Sequence, residues 1–326
     1  MRNTWVCSYR YFSQYGFKKI NINIIFDGLI DLVNKITVKT ILNNSKKRDD
    51  WFLGRYTLNT YAGCSMACIY CYTRGSKYGG DHGAVVSAKS NAVPVLKKQL
   101  KSCIRRNERD IILLGSAADP YPTVEKDLNL TREVLGIIKR YKFPTHILTK
   151  STMILRDMDI IKGIRDVAIV PTDLVDKLDN GVIVSFSFST LDEEIAEIIE
   201  PGAPSPMERL ETMKEFSDAG FKTGIINMPM LPFLSDSDEA IQSMVKTAKN
   251  YGAHYVLHSG LTLYGTGNQD CKTLYFNFLR EHNPELLKEY EKLFQKSFAP
   301  SKKYSFELSK RFSEISFKYG VKNSIL

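Results

Sequence analysis

No apolar run in this sequence reaches the ~18 residues that a membrane-spanning helix needs, so no membrane partner is expected. The N-terminal residues MRNTWVCSYRYFSQYGFKK are aromatic and basic, without the apolar stretch and small-residue cleavage site of a secretory leader. A cytoplasmic protein is the expectation. Cysteine is scarce, at 6 in 326 residues, and unevenly spaced, which argues against a disulfide scaffold. Internal repeats and low-complexity tracts are missing too, so neither a solenoid nor a linker-like chain is expected.

Hydrophobic residues make up 43% of the chain and charged residues 25%, ordinary values for a globular protein large enough to bury a sizeable core. The net charge of +9 is segregated. Residues 1–110 hold 19 Lys/Arg against 7 Asp/Glu, residues 111–270 hold 15 against 23, and residues 271–326 hold 11 against 6. Basic ends around an acidic middle suit a polyanion such as DNA or RNA; the plainer reading is lysine-rich surface helices that keep the protein soluble.

Apolar, β-branched runs recur at YTLNTYAG (56–63), DIILLGS (110–116), THILTKS (145–151), GVIVSFSFST (181–190), TGIINMPM (223–230) and AHYVLHSGLTL (253–263). Helical signals follow them. Leu130, Val134, Ile137, Ile138 and Tyr141 make one amphipathic face. Ser205, Pro206 and Glu208 form a capping box that Gly220 closes, and Ser235 with Asp238 repeats the logic ahead of Gly252. Six strands alternating with helices predict an α/β fold, a partial (β/α)6 TIM-like barrel, since no glycine-rich dinucleotide fingerprint follows the first strand. The organisation expected is an N-terminal extension over 1–55 ending in the polar connector NNSKKRDD, a barrel over 56–265 and a helical C-terminal cap over 266–326. Chemistry in such folds sits on loops after the strand C-termini.

One such loop reads Gly63-Cys64-Ser65-Met66-Ala67-Cys68-Ile69-Tyr70-Cys71-Tyr72, a C-x3-C-x2-C motif. Three thiolates bind three irons of a [4Fe–4S] cube and leave the fourth iron open. A structural zinc site needs four closed ligands, usually in two separated pairs, and the nearest fourth candidate here is His82. A disulfide is disfavoured in a reducing compartment.

The sequence at this point resembles the radical S-adenosylmethionine (SAM) superfamily, and within it the spore photoproduct lyase-like group, over about residues 38–265. The segments that carry the resemblance are KTILNNSK, YTLNTYAGCSMACIYCY, LLGSAADPYPTVEKDLNLTREVL, ILTKSTMILRD, VSFSFSTLDEEIAEIIEPGAPSPMERL and AGFKTGIINMPMLP. It implies a [4Fe–4S] cluster on Cys64, Cys68 and Cys71, with SAM bound at the open iron and cleaved reductively to a 5′-deoxyadenosyl radical. It further implies that Ser185, Ser187 and Ser189, alternating on one strand face, contact SAM; the alternative is serines packed against a neighbouring helix. Lys150 is expected to neutralise the SAM carboxylate, unless it is a surface lysine flanking a strand. Ser116 and Asp119 belong to the matching segment after the second strand, where Asp119 is otherwise a turn residue before Pro120. Tyr70 is expected near the adenine or the cluster, otherwise in the core.

Tyr72 matches the catalytic tyrosine of the lyase group. The cysteine that returns a hydrogen atom in spore photoproduct lyase has no counterpart in LLGSAADPY; Ser116 stands near its place, and a serine O–H bond is too strong for the task. Similar proteins also follow Glu200-Pro201 with arginine, whereas this chain has Gly202, so roles resting on that arginine do not carry over. His254 and His258, four apart on the sixth strand, are expected on one side, as acid/base groups in the barrel or as satisfied core residues. The expected function is a lyase-like radical SAM enzyme acting on nucleic acid, supplied with electrons by a flavodoxin- or ferredoxin-type protein. The rivals are radical chemistry on a peptide or small metabolite, and a non-catalytic iron–sulfur or zinc protein.

Overall fold

The computed structural model describes residues 33–77, 86–178 and 180–326, and Val33–Leu326 form one compact unit. The expected extension lies outside the described residues up to position 32, as does His82.

The chain opens with two short strands, β1 (Asn34–Ile36) and β2 (Leu42–Asn44), and reaches the first predicted run at β3 (Tyr56–Leu58) and β4 (Tyr61–Ala62). After β5 (Ser87–Lys89) and α1 (Ala92–Arg105) come β6 (Ile112–Leu114), α2 (Glu125–Leu128), α3 (Leu130–Tyr141), β7 (Thr145–Thr149) and α4 (Met158–Val167). Next are β8 (Val182–Phe188), α5 (Glu193–Ile199), α6 (Pro206–Asp218), β9 (Lys222–Met230), α7 (Asp238–Asn250) and β10 (Tyr255–Gly260). The C-terminal part is helical: α8 (Cys271–His282), α9 (Leu287–Leu293) and α10 (Lys302–Tyr319).

The main sheet runs β10-β9-β8-β7-β6-β3-β2. Its strands from β3 to β10 are parallel neighbours in chain order, while β2 pairs antiparallel with β3 at one edge. The six predicted runs are therefore the six parallel strands of a partial barrel. A small sheet, β1-β5-β4, stands beside it. The run NNSKKRDD is tied to the barrel rather than free: Asn43 and Asn44 belong to β2, and the Arg48 guanidinium forks onto Asp110 at 2.9 and 3.0 Å.

One sheet face packs on helices. Val184, Phe186 and Phe188 of β8 meet Leu210, Met213 and Phe216 of α6 in the large outer core, which also holds Val134, Leu135 and Ile138 of α3. The other face forms the barrel interior, floored by Leu53, Ile111, Ile183, Leu257 and Ile325. The Ser205 hydroxyl and the Glu208 carboxylate complete the predicted capping box, worth about 1 kcal/mol. At α7 the cap is Ser237, not Ser235. The Ser235 hydroxyl accepts from the Leu231 amide at 2.8 Å and closes the preceding turn, which leaves Ser237 to accept from Ala240.

The C-terminal helices divide their work. The α10 helix packs on α7 and β10 as the sixth helix of the outer layer, with His258 stacked on its Phe312 at 4.1 Å. Helices α8 and α9 join a separate core with Met66, Cys68 and Tyr70 and so back the cysteine loop. His258 points to the helix layer and His254 is exposed beside Thr223, so neither reaches the barrel interior. The reason is strand parity: Tyr255 and Leu257 take the inward positions. No helix among the described residues is long and apolar enough to cross a membrane.

Candidate metal and cofactor site

A cavity of about 420 Å³ opens at the C-terminal ends of the parallel strands. Cys64, Cys68 and Cys71 line it together with Tyr70, Tyr72, Ser116, Asp119, Thr149, Lys150 and Ser187. The five described cysteines are free.

The cysteine loop leaves β4 through Gly63 at φ +78° and turns again at Ala67, φ +53°. Its backbone is pinned from outside. The Ile69 amide donates to Ile199 O at 2.9 Å and the Gly202 amide to Met66 O at 3.1 Å. The buried Arg74 guanidinium donates to Cys68 O at 3.1 Å, and the Thr123 amide to Ser65 Oγ at 3.0 Å. Gly202 is required by proximity, because a Cβ there would fall 1.9 Å from Ser65 O. This is why no arginine follows Glu200-Pro201 on this backbone.

Burial pushes the Cys64 thiol up to about 11 and Cys68 higher still. Both are therefore thiols at neutral pH until a cationic metal group displaces their protons. A mononuclear zinc needs all ligands within ~2.3 Å of one point, whereas a four-iron cube takes its thiolates on separate corners. Three all-sulfur donors around one cavity fit the cube.

Beside the thiols lies a buried charge cluster. Lys150 Nζ donates to Ser187 Oγ at 2.9 Å and Ser187 O at 3.3 Å, and pairs with Glu200 Oε1 at 3.1 Å. Glu200 also accepts from the Tyr70 hydroxyl, from Ser189 Oγ at 2.6 Å and from Arg209 Nη2 at 2.6 Å. Burial alone would raise the Glu200 carboxyl; Lys150, Arg209 and the two hydroxyls outweigh it and hold it at about 2. Two buried cations meet the Glu200 carboxylate, with the Asp119 carboxyl on the far side of Lys150, and Lys150 Nζ at the cavity wall is the group placed to meet an anionic ligand.

The predicted residues separate into layers. Ser187 faces the cavity with Lys150. Ser189 is turned to Glu200. Ser185 lies deeper, bonded to His146 Nε2 at 2.6 Å and to the Tyr255 hydroxyl at 2.5 Å, while His146 Nδ1 contacts Phe52 O at 2.8 Å. Burial drops His146 to about 4, so the ring is neutral. Asp119 lines the cavity but fixes loops: it accepts from the Tyr121 amide at 2.9 Å, Thr149 Oγ1 at 2.8 Å and the Lys150 amide at 2.8 Å. Ser116 Oγ accepts from Asn59 Nδ2 at 3.1 Å, and Ser116 O from the Tyr72 hydroxyl at 2.6 Å. Tyr72 is 41% exposed at the cavity rim. The loop carrying Ser116 starts at Gly115, φ +91°, where a Cβ would strike Leu148 O at 2.0 Å. Asn59 Oδ1 holds its other end through the amides of Ala117 and Ala118, at 3.1 and 3.2 Å.

The sequence singles out Glu200 but not its partners, and it gives no local sign of Asn59 or His146. Arg209 carried a signal: it lies on the same helix face as Met213 and Phe216, where an arginine must find a buried anion.

Residues 58–245 match the family model of the radical SAM superfamily. An uncharacterized protein of Mycobacterium tuberculosis is 30% identical over 271 residues, covering 81% of this chain and 74% of its own. One from Methanocaldococcus jannaschii is 29% identical over 188 residues, covering 57% of this chain and 64% of its own. Among solved structures, a spore photoproduct lyase mutant with bound AdoMet and dinucleoside spore photoproduct superposes with a TM-score of 0.58 at 14% identity, covering 88% of this chain and 78% of the other. A second mutant of that lyase, with the dinucleoside spore photoproduct, gives 0.59 at 14% identity, with the same shares covered. At such identity the likeness is one of fold.

Proposed function

The chain belongs to the radical SAM superfamily, whose members use a [4Fe–4S] cluster and SAM, and we propose that it cleaves SAM reductively and directs the resulting radical at a nucleic acid. The observation that carries this reading is one cavity lined by three thiols, a buried lysine and Ser187 at the ends of parallel strands. The cluster and SAM together supply a one-electron cleavage of the sulfonium C–S bond, giving methionine and a 5′-deoxyadenosyl radical that takes a hydrogen atom from substrate.

The protein's part is binding, orientation and exclusion of water. Cys64, Cys68 and Cys71 would hold the cluster, each giving up its proton to do so. Lys150, steadied by Ser187 and Glu200, would receive the SAM carboxylate. Tyr70 packs its ring beside Lys150, 5.9 Å from Nζ, and narrows that side of the cavity. Asp119 and Asn59 keep the two loops opposite the cysteines in place. Tyr72, at the rim, matches the tyrosine of the lyase group and is placed beside the path of the radical, with no cysteine accompanying it at Ser116. Strict thymine-dimer cleavage with a thiol donor is therefore not the reaction proposed.

Nucleic acid as substrate is supported by the segregated basic charge and by the lyase of similar fold that holds a dinucleoside photoproduct. A flavodoxin- or ferredoxin-type protein would deliver the electron. The test is anaerobic reconstitution and a dithionite-driven assay for 5′-deoxyadenosine, with Cys68→Ala as control. Release by the wild type and none by the variant supports the reading; no release from a fully loaded wild type removes it. Binding of single-stranded DNA that weakens steeply with salt supports the substrate class, and salt-insensitive or absent binding redirects it to a peptide or metabolite.

A further inference from the structure

The turn Ile199–Gly202 touches the cysteine loop at three points. Ile199 O accepts from the Ile69 amide, the Gly202 amide donates to Met66 O, and Glu200 accepts from the Tyr70 hydroxyl. Two of these are main-chain bonds that flank Cys68, and the third involves Tyr70, the residue before Cys71. A Cβ on Gly202 would fall 1.9 Å from Ser65 O, so the two segments are packed backbone to backbone. From its other side Glu200 is fixed by Arg209 of α6 at 2.6 Å and Lys150 at 3.1 Å, both with side chains at most 10% exposed.

The geometry points to Glu200 as a positioning residue that clamps the cysteine loop to the strand ends. In this arrangement the cluster-holding turn and the lysine at the ligand cavity share a single carboxylate. The inference rests on the radical SAM reading given above and adds a role for the turn after α5. The physical argument is that a loop with two left-handed turns does not hold three ligands in place by itself. Its shape is set by external hydrogen bonds, and a bond to a buried ionised carboxylate is among the strongest available. The negative charge of Glu200 also lies near Cys68, in a medium that screens it poorly. It therefore disfavours adding an electron to a group held there.

The experiment uses the full chain, reconstituted anaerobically, and compares wild type, Glu200→Gln, Tyr70→Phe, the double variant and Glu193→Gln on the exposed side of α5. Three quantities are read: melting temperature, the rate of iron loss to a chelator, and the midpoint potential of the cluster. Glu200→Gln and Tyr70→Phe are each expected to speed iron loss roughly ten-fold, as one lost charge-assisted bond predicts. The double variant should be little faster than the worse single, because both changes weaken the same contact. The potential should move positive in Glu200→Gln, which removes the charge, and much less in Tyr70→Phe, which keeps it. Glu193→Gln should match wild type throughout. Should Glu200→Gln fail to fold, Tyr70→Phe alone decides through iron loss. Wild-type iron retention and potential in the Glu200 and Tyr70 variants overturn the clamp while leaving the family reading intact. A wild-type chain that takes up no iron–sulfur cluster overturns both.

Discussion

Replacing Lys150 by methionine isolates the cation proposed to meet the SAM carboxylate. Methionine keeps most of the stem volume and removes the charge. In the structure Lys150 Nζ spends its donors on Ser187 and Glu200. Glu200 retains Arg209, Ser189 and Tyr70 after the change, so the carboxylate stays buried with three partners. The stability cost is then that of a weakened but still paired charge, about 1–3 kcal/mol. The affinity cost is larger in proportion. One charge-assisted contact to a desolvated carboxylate is worth about 1.5–3 kcal/mol, or roughly 10- to 150-fold in Kd. Calorimetric titration of SAM into reconstituted wild type and Lys150→Met measures it, with Lys150→Arg as partial rescue. A Kd within about two-fold of wild type, in a protein that still carries its cluster, would show that Lys150 serves Glu200 alone and would refute the assignment.

Three further outcomes follow from the same geometry. Ser185→Ala strands the Tyr255 hydroxyl and His146 Nε2, so it should cost about 1–3 kcal/mol, a melting temperature several degrees lower, with SAM affinity unchanged; a weakened SAM affinity at wild-type stability would put Ser185 in the ligand site instead. Ser187→Ala should do the reverse, since its hydroxyl faces the cavity, and thermal melts beside titrations separate the two. His146 is neutral in the fold, at about 4 against 6.5 when free. The unfolded chain thus binds the proton first, and stability should fall as pH drops from about 6.5 to 4, by about 3 kcal/mol for this ring, with His258, likewise held at about 4 by burial, adding to the loss. Glu200, held at about 2, adds a second loss as pH falls below its free value of 4.5. Denaturant melts at pH 7 and pH 5 check the first stage; equal stability at both would contradict it.

The strand order was legible because each parallel strand is buried on both faces and reads as a continuous apolar run, as in VIVSFSF, whose serines betray the barrel face. The cysteine spacing was legible because thiol chemistry needs those residues close together. What the sequence did not disclose are contacts made across long separations by residues of ordinary type. Glu200 meets Tyr70 from 130 positions away, and Asn59 meets the Ala117 and Ala118 amides from 58 and 59. Parity along β8 put Ser185, Ser187 and Ser189 on one face, but depth along the barrel decides which hydroxyl meets the cavity. Depth depends on the neighbours His146 and Tyr255, which no local pattern announces. His254 and His258 do share a side, as a spacing of four requires, but that spacing does not say which side, and it is the helix layer rather than the cavity.

Cys64, Cys68 and Cys71 are proposed to hold a four-iron cube with one iron free for SAM. Electron–nuclear double resonance on the reduced, reconstituted protein with SAM labelled at its amino nitrogen and carboxylate tests it most directly. Couplings from both labels, absent in Cys68→Ala, are the expected result. A lone zinc, or a cube whose spectrum is indifferent to labelled SAM, would contradict it.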